Sequence, residues 1–481
     1  MNGFSTAPRY RLLLYLALAA ACSLGFFLFI SSQLSGNGFP LDDAWIHQTY
    51  ARNLTQRGEW SFIPGQPSAG STSPLWSVIL SIGYLLHFEP TIWAYLLGWV
   101  QLWLIALLSV YGLTIFVPKR AGLALWGGII VLLEFHLVWA AGSGMETLLF
   151  AILVTGLLIW LARPTTHWFG IGLWIGLSAW VRPDGITLLG PVMMVLVLTD
   201  IAWIARLRKA LQAMAGFSLL FGPYLLFNRA LAGAWWPNTF FAKQAEYSVL
   251  LNRSILSRFA DQLALPLIGI GILLLPGFIY WVYQSLKNRH WAILAGAIWL
   301  FGYLFLYAWR LPVTYQHGRY VMPAMPVYFL WGLAGCIDLI DIHSGIMWRR
   351  ILFRGWMRGA YVYAQDVAVI ETEMVATATW VANHTPQGAL IASHDIGALG
   401  YFGDRRIIDL AGLVSPEVIP FIRDEQRLAA YLNHQQVDYL VTFPGWYPQL
   451  VKQAQFIHST EGVISPSLGG ENMNVYRWQS Q

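Results

Sequence analysis

The sequence predicts a polytopic α-helical membrane protein of about ten to eleven transmembrane helices, with a small α/β domain at its C-terminal end. Three observations predict it. Of 481 residues, 57% are hydrophobic and only 11% charged, against about 25% charged in an average soluble chain. Apolar runs of the length a bilayer core requires, about 20 residues, recur as far as residue 341. Beyond that point the apolar stretches shorten to strand length and alternate with turn residues.

The first run, Leu12 to Ser31, follows Arg9 and Arg11 and is too long for an ordinary signal peptide, so it reads as an uncleaved anchor. Runs at 91–117, 121–140, 145–162, 167–181, 186–205, 210–229, 260–283, 291–309 and 320–341 complete ten spans. Pro74 to Phe88 is too short for a comfortable crossing and follows the turn-rich stretch 64–73. It reads as an amphipathic or partly inserted helix of the first loop, residues 35–90. The 25 Trp, 22 Tyr and 26 Phe suit interfacial belts. A net charge of +5 is too small to imply nucleic acid as a partner. Cys22 and Cys336 both lie in apolar runs, so no disulfide framework is implied.

Placing the N-terminus in the cytoplasm puts Arg9/Arg11, Lys119/Arg120, Arg163, Arg206/Arg208/Lys209 and Lys287/Arg289 on one side, as the positive-inside rule asks. The opposite side collects Asp42, Asp43, Glu146, Arg182, Asp184, Asn238, Lys243, His317, Arg319 and Tyr320. This gathering of chemically capable residues on one face points to a single active site.

Residues 342–385, with Arg349, Arg350, Arg354 and Arg358, read as a basic interfacial and helical connector, and 386–481 as a small soluble α/β domain. Strands are expected at 389–393, 406–410, 437–443 and 473–478, and helices near 366–382 and 427–435. Ten crossings return the chain to the cytoplasm, so counting alone places this domain opposite the acidic cluster. The basic stretch 342–365 is a poor candidate for an eleventh crossing.

The richest chemistry lies in the first loop. Pro40 to Leu54 reads as a helix entered through an Asp, and one carboxylate is accounted for as an N-cap, which stabilises a helix by about 1 kcal/mol. Adjacent carboxylates near a low-dielectric boundary resist ionising together, which suits a general base or a metal ligand. Asp43 shares a helical face with Ile46, His47 and Tyr50, so Asp43 is assigned as the base and Asp42 as the cap, with His47 able to join the site. Glu146 also suits the acidic first turn of the next helix, and Arg182 and Asp184 also suit a local pair around Pro183. Together the carboxylates can activate a nucleophile and the cations can hold a phosphate, a combination fitted to a sugar carried on a lipid phosphate.

At this level of detail the chain resembles the GT-C superfamily of membrane glycosyltransferases, and within it the bacterial terminal arabinofuranosyltransferase-like branch. The resemblance rests on Leu41-Asp42-Asp43-Ala44 with Tyr50-Ala51-Arg52-Asn53-Leu54, Gly70-Ser71-Thr72-Ser73-Pro74-Leu75-Trp76 and Ser143-Gly144-Met145-Glu146-Thr147. It continues in Arg182-Pro183-Asp184-Gly185, Pro237-Asn238-Thr239 with Lys243, and Arg319-Tyr320 with Pro323 and Pro326. The last blocks are His394-Asp395-Ile396-Gly397-Ala398 and Ile408-Asp409-Leu410-Ala411-Gly412-Leu413.

The resemblance implies a GT-C fold in the bacterial inner membrane with an extracytoplasmic active site. It implies an inverting transfer of a sugar, a pentofuranose such as arabinofuranose among the candidates, from a polyprenyl-phosphate donor to a hydroxyl of a cell-envelope glycan, lipid or protein. Asp42 and Asp43 would be the catalytic pair, and Glu146 with Asp42 would hold a divalent cation, Mg, Mn or Ca. Substrate contacts would come from His47, Arg52, Glu146, Arg182, Asp184, Asn238, Lys243, His317, Arg319 and Tyr320. Members of that family carry a further apolar span before the soluble domain, where this chain is basic. The alternative from another class is a transporter or flippase of lipid-linked sugars. Transporters place functional charges near the bilayer midplane and often repeat their halves, whereas these charges lie at one face and no repeat is visible.

Overall fold

The computed structural model describes residues 6–163, 167–339 and 346–479. The end of the 320–341 span, the start of the 342–385 connector and the boundary between them lie outside the described residues. Among the described residues five helices are long and apolar enough to cross a membrane: Tyr10–Leu34, Pro90–Phe116, Trp203–Ala232, Trp291–Arg310 and Met322–Leu339. Two bent pairs bring this to seven, and Thr147–Leu161, Trp168–Val181 and Pro183–Leu198 are shorter apolar helices. The protein is an integral membrane protein.

Local chemistry sets the helix ends. Pro90 starts its helix at a position where a missing N–H costs nothing, and Glu89 caps it by accepting from the Ile92 amide at 2.8 Å. The expected single span 121–140 is two helices, Leu125–Leu133 and Phe135–Gly142, bent by 63° at Glu134. The Glu134 backbone is extended and its carboxylate caps the second helix through the Leu137 amide. The expected span 260–283 is likewise broken by 103°, after which Gly271–Lys287 continues. Its first part, Ile255–Ala264, is amphipathic and held at the end of Trp291–Arg310 by buried Arg258, which donates to the Ala308 carbonyl at 2.9 Å. Small residues bring helices together: a Cβ on Gly172 would collide with the Ala213 carbonyl, and one on Gly335 with the Gly277 carbonyl.

The segment that hydropathy discounted as a crossing is largely one long helix, Ile346–Val369. It lies parallel to the first helix, on which Trp356 stacks on Phe26 at 4.4 Å and donates to Ser23 at 2.9 Å and Tyr363 packs on Phe27 at 5.8 Å, while Trp348 meets Trp126 of the helix Leu125–Leu133. Its arginines occupy the beginning and the exposed side, while Ala360, Tyr363, Ala364 and Val367 are buried. The four charges lowered the apparent hydropathy of a segment that is apolar where it packs. A short π-helical turn, Ile370–Val375, and the helix Ala376–His384 lead into the C-terminal domain.

That domain is built on a five-stranded mixed sheet in the order Arg406–Asp409, Leu390–Ser393, Tyr439–Thr442, Asn474–Trp478, Ala454–Ser459. The first three strands are parallel, and the last two join antiparallel. Four of the strands match the expected ones within a few residues, and Ala454–Ser459 is an addition. Counting placed this domain opposite the acidic pair; instead it packs directly on the first loop. The Asp42 carboxylate accepts from the amides of Gly397 and Ala398 at 2.6 and 2.7 Å. Trp45 packs on Tyr401 and Phe402, and Glu373, fully buried, accepts from the Met473 amide at 2.8 Å, from Asn472 at 3.0 Å and from the Thr460 hydroxyl.

Candidate functional site

The helix Asp43–Arg57 begins with the acidic pair, and its first turn projects between two cavities. The smaller, about 240 Å³, is mainly apolar and is lined by Met145, Ile186, Trp236, Phe240, Leu306 and Leu311 around Asp43, Glu146, Arg182, Asp184, Lys243, Arg319 and Tyr320. The larger, about 1080 Å³, lies between the first loop and the C-terminal domain. Asp43, Lys243 and Arg319 line both.

At this junction the Arg319 guanidinium donates to Asp43 Oδ2 at 2.5 Å and to the Tyr320 hydroxyl at 3.0 Å. Lys243 Nζ stands 3.4 Å from the same Asp43 oxygen and 3.1 Å from Tyr320. Burial pushes the Asp43 carboxyl up, but Lys243 and Arg319 outweigh it and hold the group well below the usual carboxylate range. Arg319 is only 7% exposed, and its Nε and Nη1 have no hydrogen-bond partner among the described residues. Two unspent donors on a buried guanidinium suit an anionic ligand.

Backbone strain aims this arginine. Gln316, His317 and Gly318 have φ of 53°, 57° and 66°, three successive left-handed residues of which two carry side chains. His317 Nε2 contacts Asp366 of the Ile346–Val369 helix at 2.7 Å, and Asp366 also accepts from Trp139 at 2.8 Å. Deeper in the small cavity, Arg182 donates to both oxygens of Asp184 at 3.1 and 3.2 Å and to Tyr307 at 2.7 Å. Tyr303 and Tyr307 donate to Asp184 at 2.5 and 2.7 Å. Glu146 Oε1 lies 3.7 Å from Arg182, while its buried Oε2 has no hydrogen-bond partner among the described residues.

Of the expected site residues, Asp43, Glu146, Arg182, Asp184, Lys243, Arg319 and Tyr320 come together around one cavity. Asp42 faces the other, and it does not cap its own helix. Both of its oxygens are taken by Gly397 and Ala398, because the C-terminal domain presents those amides to it. Burial outweighs these bonds and pushes its carboxyl up to about 6.

Four expected contacts line neither cavity. His47, 3% exposed, shares its Nδ1 between Ser71 and Ser77 at 3.2 and 3.1 Å, because the loop 64–73 folds over it. Arg52 donates to the carbonyls of Tyr401 and Gly400 and stacks on the Tyr401 ring, so it docks the C-terminal domain. Asn238 is buried at the start of its helix, and His317 is turned to Asp366. Tyr303, Tyr307 and Asp366 were not singled out, since an isolated Tyr or Asp in an apolar helix carries no pattern. His394 and Asp395, quoted for their motif alone, line the large cavity.

The residues do not fit the divalent ion expected on Asp42 and Glu146. Each Asp42 oxygen already accepts from a backbone amide, Glu146 faces Arg182 and His47, and among the described residues no group of three or more His, Cys, Asp or Glu is placed to hold a metal.

Residues 361–476 match a family model described as a domain of unknown function, DUF8728. No curated protein matches. Among solved structures, ArnT from Cupriavidus metallidurans in the apo state superposes with a TM-score of 0.62 at 14% identity, over 96% of this chain and 97% of that one. The same protein bound to undecaprenyl phosphate gives 0.60 at 15% identity over 96% and 98%. The apo oligosaccharyltransferase of Archaeoglobus fulgidus gives 0.53 at 13% identity over 90% and 69%. These are GT-C glycosyltransferases, and on this likeness of architecture the chain has the GT-C fold.

Proposed function

We propose that the protein is an inverting glycosyltransferase that moves a sugar from a polyprenyl-phosphate donor to a hydroxyl acceptor, with Asp43 as the general base. The observation that carries this reading is the position of Asp43, Lys243 and Arg319 between an apolar, cation-bearing cavity and a larger cavity. The small cavity suits an isoprenoid phosphate: apolar walls for the lipid, with Arg319, Lys243 and Arg182 for the phosphate. Its similarity in fold to ArnT, solved with undecaprenyl phosphate, points the same way.

The acceptor approaches through the large cavity. Asp43 takes the hydroxyl proton as the oxygen attacks the anomeric carbon; the bond from that carbon to the phosphate oxygen breaks, and polyprenyl phosphate leaves with the electron pair. Attack opposite the leaving group inverts the anomeric centre. A carboxylate held as low as Asp43 is a weak base while paired. A donor phosphate competes for Lys243 and Arg319, and each contact it takes restores basicity to Asp43, so the base gains strength when the donor is in place.

The donor sugar is proposed to be a pentofuranose such as arabinofuranose, on the motif resemblance, and the active site to face the extracytoplasmic side of the inner membrane, on the positive-charge bias of the opposite loops. Incubation of the purified protein in nanodiscs with a panel of polyprenyl-phosphate sugars, following release of polyprenyl phosphate, tests the reading. Turnover is expected with at least one donor and should fall about 100- to 10,000-fold in Asp43→Asn. Undiminished turnover in that variant rules out the mechanism.

A further inference from the structure

We infer that the C-terminal domain supplies a carbohydrate-binding subsite in the large cavity, with Trp446 as a stacking face and Asp395 as a hydroxyl partner. This rests on the transferase reading and narrows its acceptor to a glycan. The cavity, about 1080 Å³, reaches the top of the range usual for small-molecule pockets, about 300–1,000 Å³. The C-terminal domain contributes its outer wall.

His394 is fixed across the domain junction, with Nδ1 2.7 Å from the Tyr447 hydroxyl and Nε2 3.2 Å from Glu246. The next residue, Asp395, is thereby held in the cavity wall, and its Oδ2 is buried without a hydrogen-bond partner among the described residues. An unpartnered buried oxygen costs about 1–3 kcal/mol, which a ligand hydroxyl would relieve. Burial, opposed by His394 and reinforced by Asp42, lifts the Asp395 carboxyl to about 8, so it is largely uncharged at neutral pH. An uncharged carboxyl both donates and accepts hydrogen bonds, which suits a ligand hydroxyl.

Trp446 lines the same cavity and leaves 49% of its surface open. Its ring is held edge-on to His394 at 4.8 Å, and the preceding Gly445 amide donates to Glu471 at 2.7 Å. A large aromatic face fixed at a cavity wall beside hydroxyl-binding groups is a platform for a sugar ring, whose C–H face is apolar and whose edge is polar. Asp43 lines the same cavity, so a glycan held on the C-terminal domain has access to the proposed base.

The test titrates the full-length protein in nanodiscs with neutral hexasaccharides of glucose, mannose, N-acetylglucosamine and arabinofuranose. At least one should bind, and Trp446→Ala and Asp395→Asn should each weaken it about tenfold, while Trp446→Phe retains most of it. Arg182→Ala, in the other cavity, should leave it unchanged. The inference is overturned if no hexasaccharide binds at millimolar concentration, if binding survives both C-terminal variants, or if a lysine-rich peptide binds in their place. Donor turnover on the same preparations reports separately on the transferase reading: oligosaccharide binding without any donor turnover removes that reading and keeps the subsite.

Discussion

Asp42 ties the C-terminal domain to the membrane domain, and its replacement should separate docking from chemistry. The carboxylate accepts two backbone amides, from Gly397 at 2.6 Å and Ala398 at 2.7 Å, in a setting where Asp42 is 7% exposed. Hydrogen bonds to a charged group contribute about 1.5–3 kcal/mol each. Burial more than offsets them: with both amide bonds counted the carboxyl still sits at about 6 against an ordinary 3.8, so the charged form remains disfavoured by about 3 kcal/mol, at about 1.4 kcal/mol per pH unit. Asp42→Ala sheds that cost but leaves two buried amides unpartnered, at about 1–3 kcal/mol each, for a net loss in docking of up to about 3 kcal/mol. The docked population relative to the undocked one then drops by a factor of up to about 100.

Hydrogen–deuterium exchange of the segment 396–402, read by mass spectrometry in nanodiscs, measures this. Protection there should fall by that factor in Asp42→Ala and by less in Asp42→Asn, which keeps one oxygen acceptor. Gly397→Ala should reproduce the effect from the other side, because an added Cβ would collide with the Asp42 carbonyl. Unchanged exchange in both Asp42→Ala and Gly397→Ala refutes the docking role. If Asp42→Asn instead leaves protection intact and abolishes donor turnover as completely as Asp43→Asn, Asp42 is the base and the assignment is reversed.

Three further outcomes follow from the same geometry. Asp43 has its folded value depressed by Lys243 and Arg319, so its contribution to stability is fully present above its unfolded value and is lost only as the pH falls below the ordinary carboxylate range. The kcat/KM profile of the wild type should therefore show no acid limb from Asp43 between about pH 5 and 7, and Arg319→Gln should bring one upward toward that window; an identical limb in both proteins contradicts the pairing. Gln316→Gly should raise thermal stability by about 0.5–1 kcal/mol by relieving a left-handed φ of 53°, whereas a fall in melting temperature in that variant tells against strain at 316. Glu373→Ala, which strips Met473, Asn472 and Thr460 of one buried acceptor, should loosen the C-terminal domain by about 2–4 kcal/mol, seen as rapid proteolysis after residue 376; a domain as protease-resistant as the wild type would contradict it.

The spans and four strands were legible because each carries a long or alternating apolar pattern, and the gathering of Glu146, Arg182, Asp184, Lys243 and Arg319 was legible because a membrane forces charges to helix ends. Bends were not legible. Glu134 reads in sequence as one acid in an apolar run, yet its carboxylate caps a new helix and turns the chain by 63°. The edge strand Ala454–Ser459 was missed because none of its residues is buried and it lacks the alternation of a half-buried strand. Sharing a helical face with Asp43 was also a weak guide for His47, since which side of that face opens to a cavity is decided by the loop 64–73, whose Ser71 reaches the imidazole at 3.2 Å.

The side on which the C-terminal domain lies follows from the direction of one helix. Hydropathy summed over 342–365 counts four arginines against a crossing, but they are not spread through the packed surface. Arg349 lies over the Trp126 ring at 5.3 Å, near the beginning of the helix, and Arg354 and Arg358 are exposed, where long stems can carry their charges toward an interface. From there the helix advances beside the first one in the same sense, from Ser23 and Phe26 at Trp356, through Phe27 at Tyr363, to Gly38 against Glu371, and near its end Asp366 meets His317. A helix parallel to the first must deliver its C-terminal end to the face where the first helix delivers Asp42 and Asp43. The meeting of His394 and Asp395 with the acidic pair in a single cavity therefore follows from packing.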